Sequence, residues 1–273
     1  MPHASARAGK AGAVAALVSL LGDDPRDSAE GAVRVEAPGG PTRPHVQWFV
    51  NTLCVLLTAP VNHDAFAAAE GCGVLVSLLN RTNDAEVVEQ AARTLSNFLC
   101  THRAQLQVAG CGGAEALVGC MQRWMDGRLG EPRESTVEQV SAALCNLTYE
   151  NDANRIRVGE VGGCEALVRL CRHSRSQRVL EQACAVIGNI CKKNRTNRTS
   201  VGDGGGCEIL LSVLRKSPPE ATAVQAVRAM GNVAMRSEEN QLRLAAAGGL
   251  KLMLSLVETL SLRLTPLPPP SPE

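Results

Sequence analysis

The chain has 273 residues, of which 45% are hydrophobic but only 2% aromatic, and 28 Lys and Arg nearly balance 27 Asp and Glu for a formal net charge of +1. So few rings leave a core to be built from Ala, Val, Leu, Ile and Cys. They also remove the stacking platforms of single-strand nucleic-acid binders and the walls of an aromatic cofactor pocket. With no global field toward nucleic acid or anionic membrane, neither is expected as a general partner, and any charge-based contact must be local.

Eleven Cys form an odd set without a C-x-x-C pair, which argues against a disulfide framework or zinc module and for a reducing compartment. The expected location is cytoplasmic, with nuclear or ciliary sites as alternatives. Every apolar run is broken by charge before the roughly 18 residues a membrane span needs, so no transmembrane segment is expected.

From the N-terminus, Arg7 and Lys10 precede an apolar run from Ala11 to Leu21. It imitates a targeting peptide but aligns with the first visible helix of a repeat. Residues 22–45 are rich in Gly, Pro and charge and read as a loop insertion. Next comes VQWFVNTLC, a degenerate copy of a segment that recurs as EQAARTLSN, EQVSAALCN, EQACAVIGN and VQAVRAMGN, ending at Asn97, Asn146, Asn189 and Asn232. Their Gln residues stand at 47, 90, 139, 182 and 225, spaced by 43, 49, 43 and 43. Such a period marks a stacked repeat architecture.

A second signature keeps the same step: a polar residue eight positions before Gly-Gly, then an apolar helix. It is clearest from Asn154, Asn197 and Asn240, with looser copies from Asn62 and Arg103. Each unit therefore reads as short helix, Gly turn, helix, loop, long helix. The Gly pair suits a sharp turn with positive φ and close backbone approach. In the second long helix, Val88, Ala92, Leu95 and Leu99 share one face, which a unit can bury only against its neighbours. Residues 124–135 form a second insertion and account for the spacing of 49. Both insertions precede a third helix and should protrude, as accessory contacts or tolerated surface loops.

The period, the N-x7-GG turn, the ALV-x-L second helix and the EQA…LSN third helix resemble the armadillo repeat over about residues 11–262. The resemblance implies an all-α, right-handed superhelical solenoid whose third helices line a concave groove. Members are usually non-enzymatic platforms holding extended peptides or partner domains. The array then occupies 1–265, opening and closing on a second helix, with a proline-rich tail at 266–273. That tail is either plain disorder or a ligand for Src-homology-3 domains through Arg263, Pro266 and Pro269. The incomplete end units serve as caps, pair with another chain, or belong to a longer array.

On that reading a stripe of Gln90, Arg93, Asn97; Gln139, Ala142, Asn146; Gln182, Ala185, Asn189; and Gln225, Arg228, Asn232 faces the groove. Asn costs a helix interior about 0.6 kcal/mol relative to Ala, so four at one repeat position ask for a reason. Their amides can grip the main chain of an extended peptide, or bond neighbouring helix backbone and fix the stacking, and the two roles are compatible. Nuclear-import receptors of the family carry Trp four residues before this Asn. Here those positions are Val50, Arg93, Ala142, Ala185 and Arg228, so cation–π pockets for Lys are missing. Arg93 and Arg228 would favour an acidic or neutral segment.

Residues 155–198 hold ten Lys and Arg against three Glu. Arg172, Arg175, Arg178, Lys192, Lys193, Arg195 and Arg198 make a candidate basic patch, or solvated cations offsetting helix dipoles. It underlies an alternative function: an architectural subunit of a ciliary, cytoskeletal or membrane-associated complex, held through its convex face and basic edge. Cys164, Cys171, His173, Cys184 and Cys191 look metal-like by composition, yet Cys alternates with Ala and Leu across units and reads as small buried filler. No catalytic constellation or phosphate loop stands out, so neither enzyme activity, cofactor nor metal is expected.

Overall fold

The computed structural model describes residues 2–22, 43–129 and 133–264. It holds sixteen α-helices, one 3-10 turn and, among the described residues, no strand. They fall into the expected units. A first pair is α1 (Pro2–Gly22) and α2 (Arg43–Leu56). The second unit is the 3-10 turn Pro60–Asn62 with α3 (His63–Ala68), α4 (Gly71–Arg81) and α5 (Ala85–Phe98). The third is α6 (His102–Gly110), α7 (Gly113–Met125) and α8 (Glu134–Thr148). The fourth is α9 (Asp152–Glu160), α10 (Gly163–His173) and α11 (Gln177–Cys191), and the fifth is α12 (Arg195–Asp203), α13 (Gly206–Arg215) and α14 (Glu220–Ala234). Helices α15 (Glu238–Ala246) and α16 (Gly249–Leu264) complete the order.

Each first helix after α3 starts at a polar residue whose side chain accepts a backbone N–H one turn on: Thr101, Asn151, Asn194 and Ser237. Capping satisfies donors that would otherwise be orphaned. The two glycines of each turn divide the work the sequence assigned to the pair. Gly162, with φ of +85°, takes the left-handed conformation before α10. The following Gly163 lets the chain touch the preceding helix, because a Cβ there would lie 2.5 Å from the Val158 carbonyl oxygen.

The low ring content becomes a packing property. Ala91, Ala143, Ala183, Ala226 and Ala229 are fully buried where third helices α5, α8, α11 and α14 stack, and the small side chains let the backbones approach. Buried hydroxyls tie the same row: Thr136 donates to the Ala85 carbonyl at 3.1 Å and Thr222 to that of Gln177 at 3.2 Å, while Thr94 donates within its own helix to the Gln90 carbonyl at 2.6 Å. Val88, Ala92, Leu95 and Leu99 are all buried, as their spacing predicts. Aromatic packing concentrates in the second unit, where Phe66 and Phe98 meet edge-to-face at 5.0 Å.

The insertions are shorter than their composition suggests. Helix α2 already runs from Arg43, and α7 and α8 claim Trp124, Met125, Glu134 and Ser135. The described part of the second insertion does not simply protrude. Leu129 is buried, and the Trp124 indole donates to the Arg133 carbonyl at 2.9 Å. Helix propensity and a buried leucine override the Gly and Pro signal at the edges. Residues 23–42, 130–132 and the tail from 265 lie outside the described residues.

Candidate functional site

The third helices form one row, and each ladder Asn reaches back along it. The Nδ2 of Asn97 donates to the Cys54 carbonyl at 3.1 Å, Asn146 to Ser96 at 3.1 Å, Asn189 to Cys145 at 3.2 Å and Asn232 to Gly188 at 2.8 Å. The stacking role is therefore present in every unit. Asn146 Nδ2 also donates to the Ser96 hydroxyl at 3.0 Å and Asn97 Nδ2 to Cys54 Sγ at 3.5 Å. Asn97, Asn146 and Asn232 remain half-buried with a side-chain oxygen that accepts from no described residue, whereas Asn189 is only 5% exposed.

The two groove arginines are not the free cations the stripe suggested. Arg93 pairs with Glu89 at 2.9 Å, and that carboxylate also accepts from the Ser135 hydroxyl at 2.6 Å. Arg228 lies across the row, donating to Asn189 Oδ1 at 2.8 Å and to the Ala185 carbonyl at 3.3 Å. Arg93 meets its i,i+4 neighbour one turn back on α5, whereas Arg228 finds acceptors on the adjacent helix that linear spacing hides. The side-chain amides of Gln90, Gln139, Gln182 and Gln225 hydrogen-bond to no described residue, and Oε1 of Gln90 and of Gln225 is shielded from solvent without a donor. A shielded, unpaired amide oxygen costs about 1–3 kcal/mol.

A second Asn ladder, on the first helices, carries more of the fold. Asn197 Nδ2 divides its hydrogens between two carbonyls of the preceding unit, Ile190 on its third helix at 2.9 Å and Arg155 on its first helix at 2.8 Å. Asn240 repeats this with Val233 and Arg198, at 3.0 and 2.9 Å. Asn154 donates to Leu147 at 2.8 Å. The sequence marked these positions as the polar residue before Gly-Gly but gave them no partner.

The basic patch separates on inspection. Arg198, 7% exposed, uses Nε to cap the Cys191 carbonyl at 2.9 Å and is not a surface cation. Arg172 donates to the Gly204 carbonyl at 3.3 Å, and Arg178 stands 3.9 Å from Glu138. Arg175, Lys192, Lys193 and Arg195 stay exposed with no ion pair among the described residues. Linear charge counting cannot separate a guanidinium in solvent from one seven residues beyond a carbonyl it caps.

All eleven cysteines are free thiols, and eight are buried. Burial pushes the thiols of Cys72 and Cys164 up to about 12 and that of Cys207 to about 11, and it raises Cys54, Cys120, Cys145 and Cys191 as well. The hydrogen bond with Cys184, together with full enclosure, also raises Cys171 well above the usual thiol value. Thiols held neutral in this way are poor nucleophiles and poor metal ligands. Among the described residues, no three His, Cys, Asp or Glu side chains cluster as a metal site, and no helix is long and apolar enough to cross a membrane.

The architecture is an α-solenoid of three-helix repeats. Residues 64–99 and 151–192 match the Armadillo/beta-catenin-like repeat family. Over 89% of its length the chain superposes on an engineered protein of 26% identity at a TM-score of 0.72, covering 88% of that chain. It covers 91% of a designed armadillo repeat protein at 20% identity and TM-score 0.72. A further designed armadillo repeat protein, solved in complex with a (KR)4 peptide, matches at 20% identity and TM-score 0.71, with 89% and 91% of the two chains covered. No curated protein matches the chain. The second and fourth units thus match the armadillo repeat, and the array as a whole has the fold of an armadillo-type solenoid.

Proposed function

We propose that this protein is a non-enzymatic scaffold that holds an extended, neutral or acidic segment of a partner protein along its row of third helices. One observation carries the reading. Gln90, Gln139, Gln182 and Gln225 recur at one repeat position with amides that take no part in the fold, beside half-buried Asn97, Asn146 and Asn232, whose side-chain oxygens accept from no described residue. An extended main chain offers a donor and an acceptor at each residue, which such a row can meet whatever the peptide's side chains. With Arg93 and Arg228 already engaged, main-chain recognition outweighs side-chain charge. The buried neutral thiols suit a reducing compartment, and the cytoplasm is the location we propose.

Selecting a random peptide library on the full chain and on Gln139→Ala/Gln182→Ala tests this, because these glutamines make no intramolecular bond whose loss would unfold the protein. Peptides enriched on the natural chain and bound at least about tenfold more weakly by the variant are the expected result. Equal binding at an unchanged melting temperature rejects it. The alternative, an architectural subunit attached through its basic edge, draws on the exposed cations Arg175, Lys192, Lys193 and Arg195.

A further inference from the structure

The first helices display a row that neither Asn ladder uses. Five residues past each N-cap stand Leu106 on α6, Ile156 on α9, Thr199 on α12 and Leu242 on α15. The three large apolar members are 52%, 48% and 63% exposed. Equivalent large side chains left in solvent in three units are not scattered surface residues.

Beside this row, the elbows joining a third helix to the next first helix hold Glu150, Lys193 and Arg236 in the left-handed conformation, with φ of +49°, +57° and +52°. Glycine would take that conformation without steric cost, so a long charged side chain is kept there against local preference. Two hollows, of about 460 and 400 Å³, meet at the Lys193 elbow and share Lys192, Lys193, Arg155 and Asp152. One also reaches Ile156 and Arg195, the other Leu106 and Glu150.

The charges of this edge can be sorted. Asp152 is paired with Arg155, and Glu160 faces Arg157 at 3.2 Å. Lys192, Lys193 and Arg195 have no such partner among the described residues, and Glu150 alone opposes them. The rim is net positive and the floor carries Leu106 and Ile156. No Phe, Tyr or Trp lines either hollow, so bases would have nothing to stack upon. A flat lipid surface would contact the rim but could not fill two recesses.

We propose that this edge, formed by α6, α9, α12 and the Lys193 elbow, binds an acidic segment of a partner protein in which apolar side chains alternate with Asp and Glu. The apolar side chains seat against Leu106 and Ile156, and the carboxylates pair with Lys192, Lys193 and Arg195. It shares the protein-binding reading but is independent of the third-helix row.

The test is fluorescence anisotropy of a labelled peptide of repeated Glu-Asp-Leu with the full chain at ~0.15 M salt, where exposed charges are screened beyond about 8 Å. Lys192→Glu/Lys193→Glu and Leu106→Ser/Ile156→Ser each weaken binding by about tenfold or more. The groove variant Gln139→Ala/Gln182→Ala leaves it unchanged, which keeps failure of this site distinct from failure of the third-helix row. Lys193→Gly separates binding from folding: it raises the melting temperature by removing left-handed strain and still weakens the peptide. The proposal is overturned by absence of saturable binding, by equal binding of a Glu-Asp-Ser peptide, or by indifference to these edge variants. It is also overturned if phosphatidylserine vesicles or oligo-dT bind through Lys192 and Lys193 as tightly as the peptide.

Discussion

Two asparagine ladders run through this molecule at the same repeat step, and they differ in how much of each amide the fold consumes. On the first helices, Asn197 and Asn240 are 3% and 1% exposed and both hydrogens of Nδ2 are engaged. On the third helices, Asn97, Asn146 and Asn232 are half-buried, their amide nitrogens reach one residue of the preceding third-position helix, and their side-chain oxygens accept from no described residue. The same side chain is thus wholly structural where the array is closed and partly available where it is open. Recurrence at a repeat position marks importance to the array without saying which of the two applies.

The sharpest way to break the comparison is at Asn197. Removing it in Asn197→Ala strands the Ile190 carbonyl at the end of α11 and cuts the tie to the Arg155 carbonyl, for an expected loss of about 2–4 kcal/mol in chemical denaturation. Gly159→Ala should cost as much by a different route. Its Cβ would fall 1.9 Å from Asn197 Oδ1, and the amide cannot step aside without releasing both of its bonds. The two substitutions should then be strongly non-additive, since the second clash vanishes once Asn197 is gone; a double-mutant cycle with no coupling would show that Gly159 does not serve the amide.

On the third-helix ladder, Asn232→Ala should cost about 1 kcal/mol, one half-exposed hydrogen bond to Gly188. A loss equal to that of Asn197→Ala would erase the distinction between the ladders. The smallest effect lies outside both. Partial burial opposes ionisation of Glu115, yet bonds from its own backbone N–H and from Arg157 hold its carboxyl below the usual range. A folded-state value below the unfolded one means the contribution is present at neutral pH and fades as pH falls below about 4. The melting temperatures of the natural chain and Glu115→Gln should therefore converge on acidification. For so exposed a pair the gap at pH 7 should be slight.

Much of this was legible from the sequence. The 43-residue step, the Gly-Gly turns and the apolar faces depend on local geometry, and local geometry repeats with the residues. Hydrogen-bond partners a whole unit away do not share that property. Asn197 and Arg155 stand 42 residues apart in the chain and 2.8 Å apart in space, so only the stacked structure shows why that Asn is needed. Arg198 illustrates the opposite error: its charge is visible in sequence and its burial is not. Leu106 and Ile156 read as ordinary helix residues until their exposure is known, although their fixed distance from an N-cap was a signal available throughout.

Asn197 and Asn240 have a further consequence for how the array comes apart. Because one nitrogen, carried on the first helix of the next unit, holds both the first helix and the end of the third helix of the unit before it, that unit cannot lose its internal closure without also releasing its neighbour. Local opening and separation of units become one event, which strengthens the nearest-neighbour coupling of the array. In native-state hydrogen exchange the fourth and fifth units should open together as one cooperative block, and Asn197→Ala should divide that block into two steps.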